Sequence, residues 1–492
     1  MGREDLREWL SALEETGELK RVRTEVHWDL ELAAIVRKVG NENGPGLLFD
    51  NITGCRTTHC RKLTANSLGS RKRVALALGL SPETGYFEMT RFLKKKFGEK
   101  IAPVALRTGP VKRNVIRDDV DLFQFPVPKW HAEDGGRYIL TAAGIVTADR
   151  ETKVMNVGVY RGMLSSQKTI PVLMPATQHG GRHFSQYQAR GEEMPVAVVI
   201  GWDPIFFITA ATPVRHPGYS EYEIMGALRG SPVELVKCET SDLMVPANAE
   251  IVIEGKISPD PATFEMEGPF GEYPGYFGGA ASRKPVIRVE CVTFRDDPIF
   301  MGTLEGQSPG KLDEGSHFTC AAMSAVAWNL LDDIGVPNVT GAWCKPVVAG
   351  TNLRVQIKKI YRGQAKQVAN ALWGAGYYLA KNLIVVDDDI DIYDDDAVEW
   401  AIAWRTNAAM GDFAFFPGTF GSLYDPSVPL KERDALKYGQ GKWTRILTDA
   451  TINWDLELEE QFGGKRYPPL STAIDPDTEQ KILARWKEYE ID

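Results

Sequence analysis

Between Val120 and Phe294 short apolar runs recur, each broken within a few positions by glycine, proline or a polar turn. Runs so short cannot build long helices and must bury themselves by pairing in a sheet. The pattern predicts strands at Ile139 to Thr147, from Val154 after the polar turn Asp149 to Lys153, and at Val196 to Ile200. Further strands are expected at Ile205 to Thr209, Glu250 to Ile253 and Val286 to Phe294. In the last, Ile287, Val289 and Cys291 alternate with Arg288 and Glu290, so one face is dry and one wet. A middle of this texture suggests a barrel or sandwich.

The flanks read differently. Asp5 to Thr16 has helical spacing, with Leu6, Trp9, Leu10 and Leu13 on one face. A second helix is expected from about Asp29, a strand at Leu47 to Phe49 and a helix at Tyr86 to Phe97. After a helix from Ser316, taken as its cap, to Ile334, strands at Leu353 to Lys358 and Leu383 to Val386 alternate with helices at Gly363 to Trp373 and Ala397 to Trp404. A terminal helix, Thr478 to Tyr489, follows Asp475. The length of 492 residues suits about three units. The expected division is an N-terminal α/β portion (1–115), a strand-rich middle (116–312), a C-terminal α/β unit (313–474) and the terminal helix (475–492). A short terminal helix needs its stripe of Ile482, Leu483 and Trp486 to dock, which points to a homodimer or larger assembly.

Composition excludes more than it identifies. A net charge of −9 and a pI near 5.5 argue against a nucleic-acid partner or an anionic membrane surface. The most apolar stretch, Pro195 to Thr212, is interrupted by Gly201, Asp203 and Pro204, so no membrane span is expected. The N-terminus has no signal-peptide pattern, and the 6 cysteines are too scattered for a disulfide framework. Both indicate a reducing cytoplasm. Walker, dinucleotide-fingerprint, His-Glu-x-x-His and Gly-x-Ser-x-Gly motifs are missing. Cys55, His59 and Cys60 lack zinc spacing and read as a loop. Lys94 to Lys96 read as a solvated helix face, and the Asp387 and Asp394 triplets as a strand end and a helix N-terminus.

Four segments carry chemistry. Asn156-Val157-Gly158-Val159-Tyr160-Arg161 follows the hairpin turn; Gln178-His179 and Gly230 to Cys238, containing Glu234, come later. Asn156, His179 and Glu234 are a neutral oxygen, an imidazole and a carboxylate, a set suited to Mn or Mg with phosphate oxygens completing the shell. Each alone is commonly a structural hydrogen-bonder. The fourth segment holds Glu267 and Glu272. If these converge on Arg161 in a closed pocket, one guanidinium between two carboxylates splits their titrations and leaves one protonated near neutrality. Strict alternation puts Asn156 and Arg161 on opposite faces of a strand unless Gly158 marks a bulge.

At these segments the chain resembles the UbiD-like family of prenylated-FMN-dependent decarboxylases. The likeness runs in order through Gly44-Pro-Gly-Leu-Leu-Phe49, Val120 to Pro126, Asp134-Gly-Gly-Arg-Tyr138, Glu234 to Cys238 and Val245 to Gly255. It continues through Glu267-Gly-Pro-Phe-Gly-Glu272 to Val385 to Asp391. The resemblance implies an α+β protein whose central split β-barrel, of the flavin-reductase type, holds the cofactor, with a C-terminal oligomerisation domain. It implies that Asn156, His179 and Glu234 ligate a divalent metal on the flavin phosphate, with potassium nearby. Asn156 to Arg161 and Gln178 would line the flavin, and Glu272 would donate a proton with Arg161 and Glu267 around it. The implied reaction is reversible non-oxidative decarboxylation of an aromatic or heteroaromatic acid through a covalent adduct with prenylated FMN, which a flavin prenyltransferase would supply.

Such chemistry needs an organic electron sink, because cleavage leaves an in-plane carbanion that the π-system cannot delocalise. Gly374 stands where the acrylic-acid branch carries a phosphate lysine, with Lys381 as a stand-in. Phe416 to Ser427 resembles aromatic-acid members, and Tyr273, Tyr378 and Phe416 are candidate pocket walls. Competing readings are a decarboxylase of acyclic unsaturated acids, a split-barrel flavin or phosphometabolite carrier without turnover, and an ordinary FMN oxidoreductase.

Overall fold

Asp5 accepts hydrogen bonds from Arg7 N at 2.9 Å and Glu8 N at 3.0 Å, which starts the helix Leu6–Glu15 where the spacing predicts it. Leu6, Trp9, Leu10 and Leu13 are all buried. The computed structural model describes residues 5–491 apart from 57, 214–217, 307, 349, 434–440 and 473. Leu19–Val22, Gly46–Phe49, Lys62–Ala65 and Ile299–Met301 form the first sheet in that order. Its last strand arrives from the far end of the strand-rich middle. Val104–Leu106 likewise pairs in parallel with Glu234–Lys237. The N-terminal portion and the middle therefore share sheets and a single apolar core.

The middle is built on antiparallel pairing in the order Asn114–Ile116, Val286–Phe294, Ile251–Ile257, Met194–Ile200, Ala143–Ala148 and Met155–Gly158, with Thr169–Pro171 also on Val286–Phe294. Among the described residues this path runs open and does not close into a barrel. Register shifts at Glu254 and Gly255, where a Cβ would lie 2.3 Å from Arg288 O, so only glycine fits the bulge.

Several expectations change. Ile205 to Thr209 is not a strand but part of the helix Pro204–Ala210. Asp203 accepts from Ile205 N at 2.9 Å and Pro204 takes the first turn, and an apolar run buried on every side has no periodicity to tell helix from strand. The first hairpin strand is shorter than expected, Ala143–Ala148. The cap of the long helix Glu314–Ile334 is Asp313 rather than Ser316, whose hydroxyl and N–H both donate to Asp313 Oδ1. This helix joins two cores: Phe318, Ala321 and Ala325 pack with the middle, Met323, Ala327 and Leu331 with the C-terminal layer.

That layer is a sheet in the order Val339–Cys344, Asn352–Ile357, Asn382–Asp387, Lys442–Ala450 and Phe413–Phe420, flanked by Gln364–Gly374 and Asp395–Arg405. Asp394 caps the latter helix, and Arg405 grips Asp389 at 2.6 Å. Lys94 pairs with Asp332 and Lys96 with Glu99. Cys55 and Cys60 are buried in a loop tied by the Thr58 hydroxyl. The terminal segment holds Pro476–Ala484 and a tighter turn, Trp486–Tyr489, with no side chain buried. Among the described residues no helix is long and apolar enough to cross a membrane.

Candidate active site

The strand that carries Asn156 ends at Gly158, so Val159, Tyr160 and Arg161 lie beyond the sheet. That removes the alternation conflict without a bulge. Gly158 and Gly180 flank the Tyr160 ring; a Cβ on either would come within 2.7 or 2.8 Å of it. The Tyr160 hydroxyl accepts from Gly180 N at 2.8 Å, which ties this turn to the start of the helix His179–Gln188, behind its cap residue Gln178.

Arg161 then reaches the loop of Glu267 and Glu272. Its Nη2 donates to Glu267 Oε2 at 3.0 Å, its Nε lies 3.0 Å from Glu267 Oε1, and its Nη1 donates to Glu272 Oε1. Tyr138 donates to Glu267 Oε1 at 2.8 Å. Phe270 lies under the guanidinium at 5.5 Å. Both carboxyls are buried. Burial pushes Glu272 up to about 7, although Arg161 pulls the other way. Burial would lower Arg161, but Glu272, Tyr424 and Glu267 outweigh it and hold the guanidinium firmly charged.

The loop is fixed from behind by the Asp134-Gly-Gly-Arg-Tyr138 segment. Asp134 Oδ1 accepts from Gly271 N at 3.0 Å, and Gly135 N donates to Pro269 O at 2.8 Å. A Cβ on Gly135 would sit 2.1 Å from Gly268 O, so the two backbones touch only because it is glycine. From the C-terminal layer, Tyr424 packs edge-on against Tyr273 at 5.8 Å, while Ser422 bonds the Tyr273 hydroxyl at 3.2 Å. Phe416 is turned instead onto Trp373. Lys381 is held by Asp425 at 2.7 Å and Ser427 at 3.0 Å.

The structure brings together two of the three residues expected to hold a cation. Asn156 and His179 do meet, with the amide 2.8 Å from His179 Nδ1. Glu234 is exposed at the start of its strand, its backbone paired with Val104, and among the described residues no bond links it to either. The carboxylate beside Asn156 is Glu221, the first residue of the helix Glu221–Arg229, which accepts from Val157 N at 2.7 Å. Two intervening turns of chain separate the acids, and sequence order alone could not choose between them. The Asn156 amide lies between His179 Nδ1 at 2.8 Å and Glu221 Oε1 at 3.2 Å. With its nitrogen inward it donates to both; with its oxygen inward, three acceptors converge as a hard or borderline divalent cation requires. Burial lifts Glu221 to about 7, as befits a carboxylate short of positive charge. This donor set would suit a hard or borderline divalent cation.

Comparison with known proteins agrees with this frame. Family models for the 3-octaprenyl-4-hydroxybenzoate carboxy-lyase N-terminal, Rift-related and C-terminal domains match residues 10–93, 103–308 and 316–450. The chain is 32% identical over 507 residues to the pyrrole-2-carboxylic acid decarboxylase of Pseudomonas aeruginosa, covering 99% of this chain and 98% of that one. It superposes on the closed form of the Sedimentibacter hydroxybenzoicus vanillic acid decarboxylase with a TM-score of 0.88 at 29% identity, over 100% of both chains. Against the open form of that enzyme the TM-score is 0.81. The UbiD-class enzyme HmfF of Pelotomaculum thermopropionicum, in complex with FMN, gives 0.80 at 31% identity over 98% of this chain and 100% of that one. The chain belongs to the UbiD family, whose members are carboxy-lyases.

Proposed function

We propose that this protein reversibly decarboxylates an aromatic or heteroaromatic carboxylic acid, with prenylated FMN and a divalent metal as cofactors. The observation that carries the reading is the buried pair of carboxyls on Arg161, with Glu272 holding a proton near neutral pH. When bound, prenylated FMN supplies the electrophilic sink for the electron pair that departing CO2 leaves in the ring plane. The chain's own residues supply the rest. Arg161 orients Glu272, Glu267 and Tyr138 hold Arg161, and Glu272 delivers a proton to the carbon that lost CO2. Asn156, His179 and Glu221, without Glu234, would hold Mn or Mg at the flavin phosphate, with potassium alongside. Val157 to Tyr160 and Gln178 would line the flavin, and the open antiparallel sheet would serve as the split barrel that seats it.

A ring substrate is favoured over an acyclic one by the relatives, whose names specify pyrrole-2-carboxylic and vanillic acids. A carrier would have no use for a proton donor, which disfavours that reading. The same proposal has the chain acting in the cytoplasm as a homo-oligomer and receiving its cofactor from a flavin prenyltransferase. The test is co-production with such a transferase, followed by cofactor mass, absorbance spectrum and CO2 release from a panel of acids. Bound prenylated flavin with CO2 released from a ring acid is the expected result. Bound flavin with no release from any acid would favour the carrier.

A further inference from the structure

The ring of His131 lies against the base of the loop that carries Glu272. That loop is a tight hairpin: Gly271 bridges to Phe277, Glu272 N donates to Tyr276 O at 2.9 Å, and Gly278 N donates to Phe270 O at 2.9 Å. A Cβ on Gly271 would come within 2.5 Å of the imidazole, so the backbone rests on the ring only because this residue is glycine. Phe270 and Phe277, one from each arm of the hairpin, meet the ring nearly at right angles with centres 5.9 Å away in each case. Glu272 is thus one residue from a glycine seated on the imidazole.

The ring is itself held at both nitrogens. Nε2 lies 3.0 Å from Glu305 O, a carbonyl that can only accept, so Nε2 carries a hydrogen and donates it. The same carbonyl accepts from Arg37 Nη2 at 2.7 Å, which makes it a fixed point. Nδ1 lies 3.2 Å from both carboxyl oxygens of Asp134. Two acceptors do not face each other at that distance without a hydrogen between them, so His131 and Asp134 share one. The Asp134 side chain has no exposed surface, and no water can replace a lost partner there cheaply. Its Oδ2 also accepts from His131 N at 2.8 Å, and its Oδ1 accepts from Gly271 N at 3.0 Å. The contacts therefore run from the imidazole to Asp134, from Asp134 to the Gly271 N–H, and across one peptide bond to Glu272.

We propose that His131 is a positioning residue for the decarboxylation. Braced between the Glu305 carbonyl and Asp134, it fixes the floor on which the hairpin stands, and so sets where Glu272 is presented beside Arg161. The inference rests on Glu272 as the proton donor. His131 makes and breaks no bond in the reaction; it acts through Asp134 and Gly271.

The test compares H131F, H131N, H131Q and E272Q in the full chain. H131F keeps a ring for Phe270, Phe277 and Gly271 to pack on but supplies no hydrogen. H131N can place an amide N–H where Nδ1 stands, and H131Q can place one where Nε2 stands. In the cofactor-loaded enzyme, H131F should lower kcat about tenfold or more, with KM and flavin content within about twofold of the parent. H131N should recover much of that loss and H131Q little, because Asp134 and not Glu305 bonds the hairpin. In the cofactor-free chain, amide exchange over residues 270–278 should quicken about tenfold in H131F, with the C-terminal layer unchanged. Parental kcat or unchanged exchange in H131F would overturn the proposal, as would recovery in H131Q equal to or above that in H131N. Loss of bound flavin in step with kcat would also overturn it, by making His131 a residue that only holds the fold. Full turnover in E272Q would instead overturn the donor reading beneath it, so the two failures are distinguishable.

Discussion

The hydroxyl of Tyr273, next to Glu272 on the central layer, is hydrogen-bonded at 3.2 Å to the hydroxyl of Ser422 on the C-terminal one. The bond crosses between the two layers that the helix Glu314–Ile334 links, so the loop that carries the candidate acid is anchored on both. The higher TM-score against the closed than the open form of the vanillic acid decarboxylase fits this arrangement.

A pH dependence follows. On the proposed reading Glu272 donates as the neutral acid, and burial lifts its carboxyl to about 7, so turnover should be full well below that value and fall as pH rises through it. The nearby Tyr424 hydroxyl favours the charged carboxylate and therefore lowers this value. Y424F should move the alkaline limb upward by about half a unit to one unit, the equivalent of one hydrogen bond. A downward or absent shift in the pH profile would remove Tyr424 from the network.

Glu221 and Glu234 make opposite predictions. If Asn156, His179 and Glu221 hold a cation at the flavin phosphate as proposed, purified E221Q and H179A should lose at least about tenfold in metal affinity and retain little flavin. E234Q, altered at an exposed strand end, should keep both. Metal content and flavin absorbance of the purified variants decide this, and full occupancy in E221Q would dismiss the cation set.

Gly278 offers a subtler probe. A Cβ there would lie 2.8 Å from both Arg161 Nη1 and Glu272 Cγ. G278A should wedge the guanidinium and the acid apart without touching the metal side. Turnover should fall about a hundredfold, as misplacement of about 1 Å can cost, with flavin content unchanged. Parental turnover would mean that Glu272 needs no close alignment with Arg161.

The C-terminal segment exposes Ile474 (57%), Leu483 (63%), Trp486 (46%) and Ile491 (61%). Leu483 lies on the terminal helix, Trp486 on the turn after it and Ile474 and Ile491 on either side, and apolar side chains so displayed suit a partner surface. Deleting 475–492 should reduce the mass of the assembly in light scattering without lowering the thermal midpoint of the remaining chain. An unchanged mass would place the subunit interface elsewhere.

The helix Leu6–Glu15 and the strand Val286–Phe294 were legible because one-sided burial writes its own period into the residues. Glu267 and Glu272 stand out as two acids in one Gly/Pro loop, while their meeting with Arg161, 106 residues earlier, was legible only through the family likeness. Burial on all sides erased the period of Pro204–Ala210, and there a cap residue and a proline made the helix. What only the tertiary structure decided was which groups meet. Glu221 rather than Glu234 stands at Asn156 because a helix N-terminus swings it against the Val157 backbone. Tyr138 meets Glu267 from 129 residues earlier, and Ser422 and Tyr424 meet Tyr273 from the C-terminal layer, separations across which local spacing carries no signal.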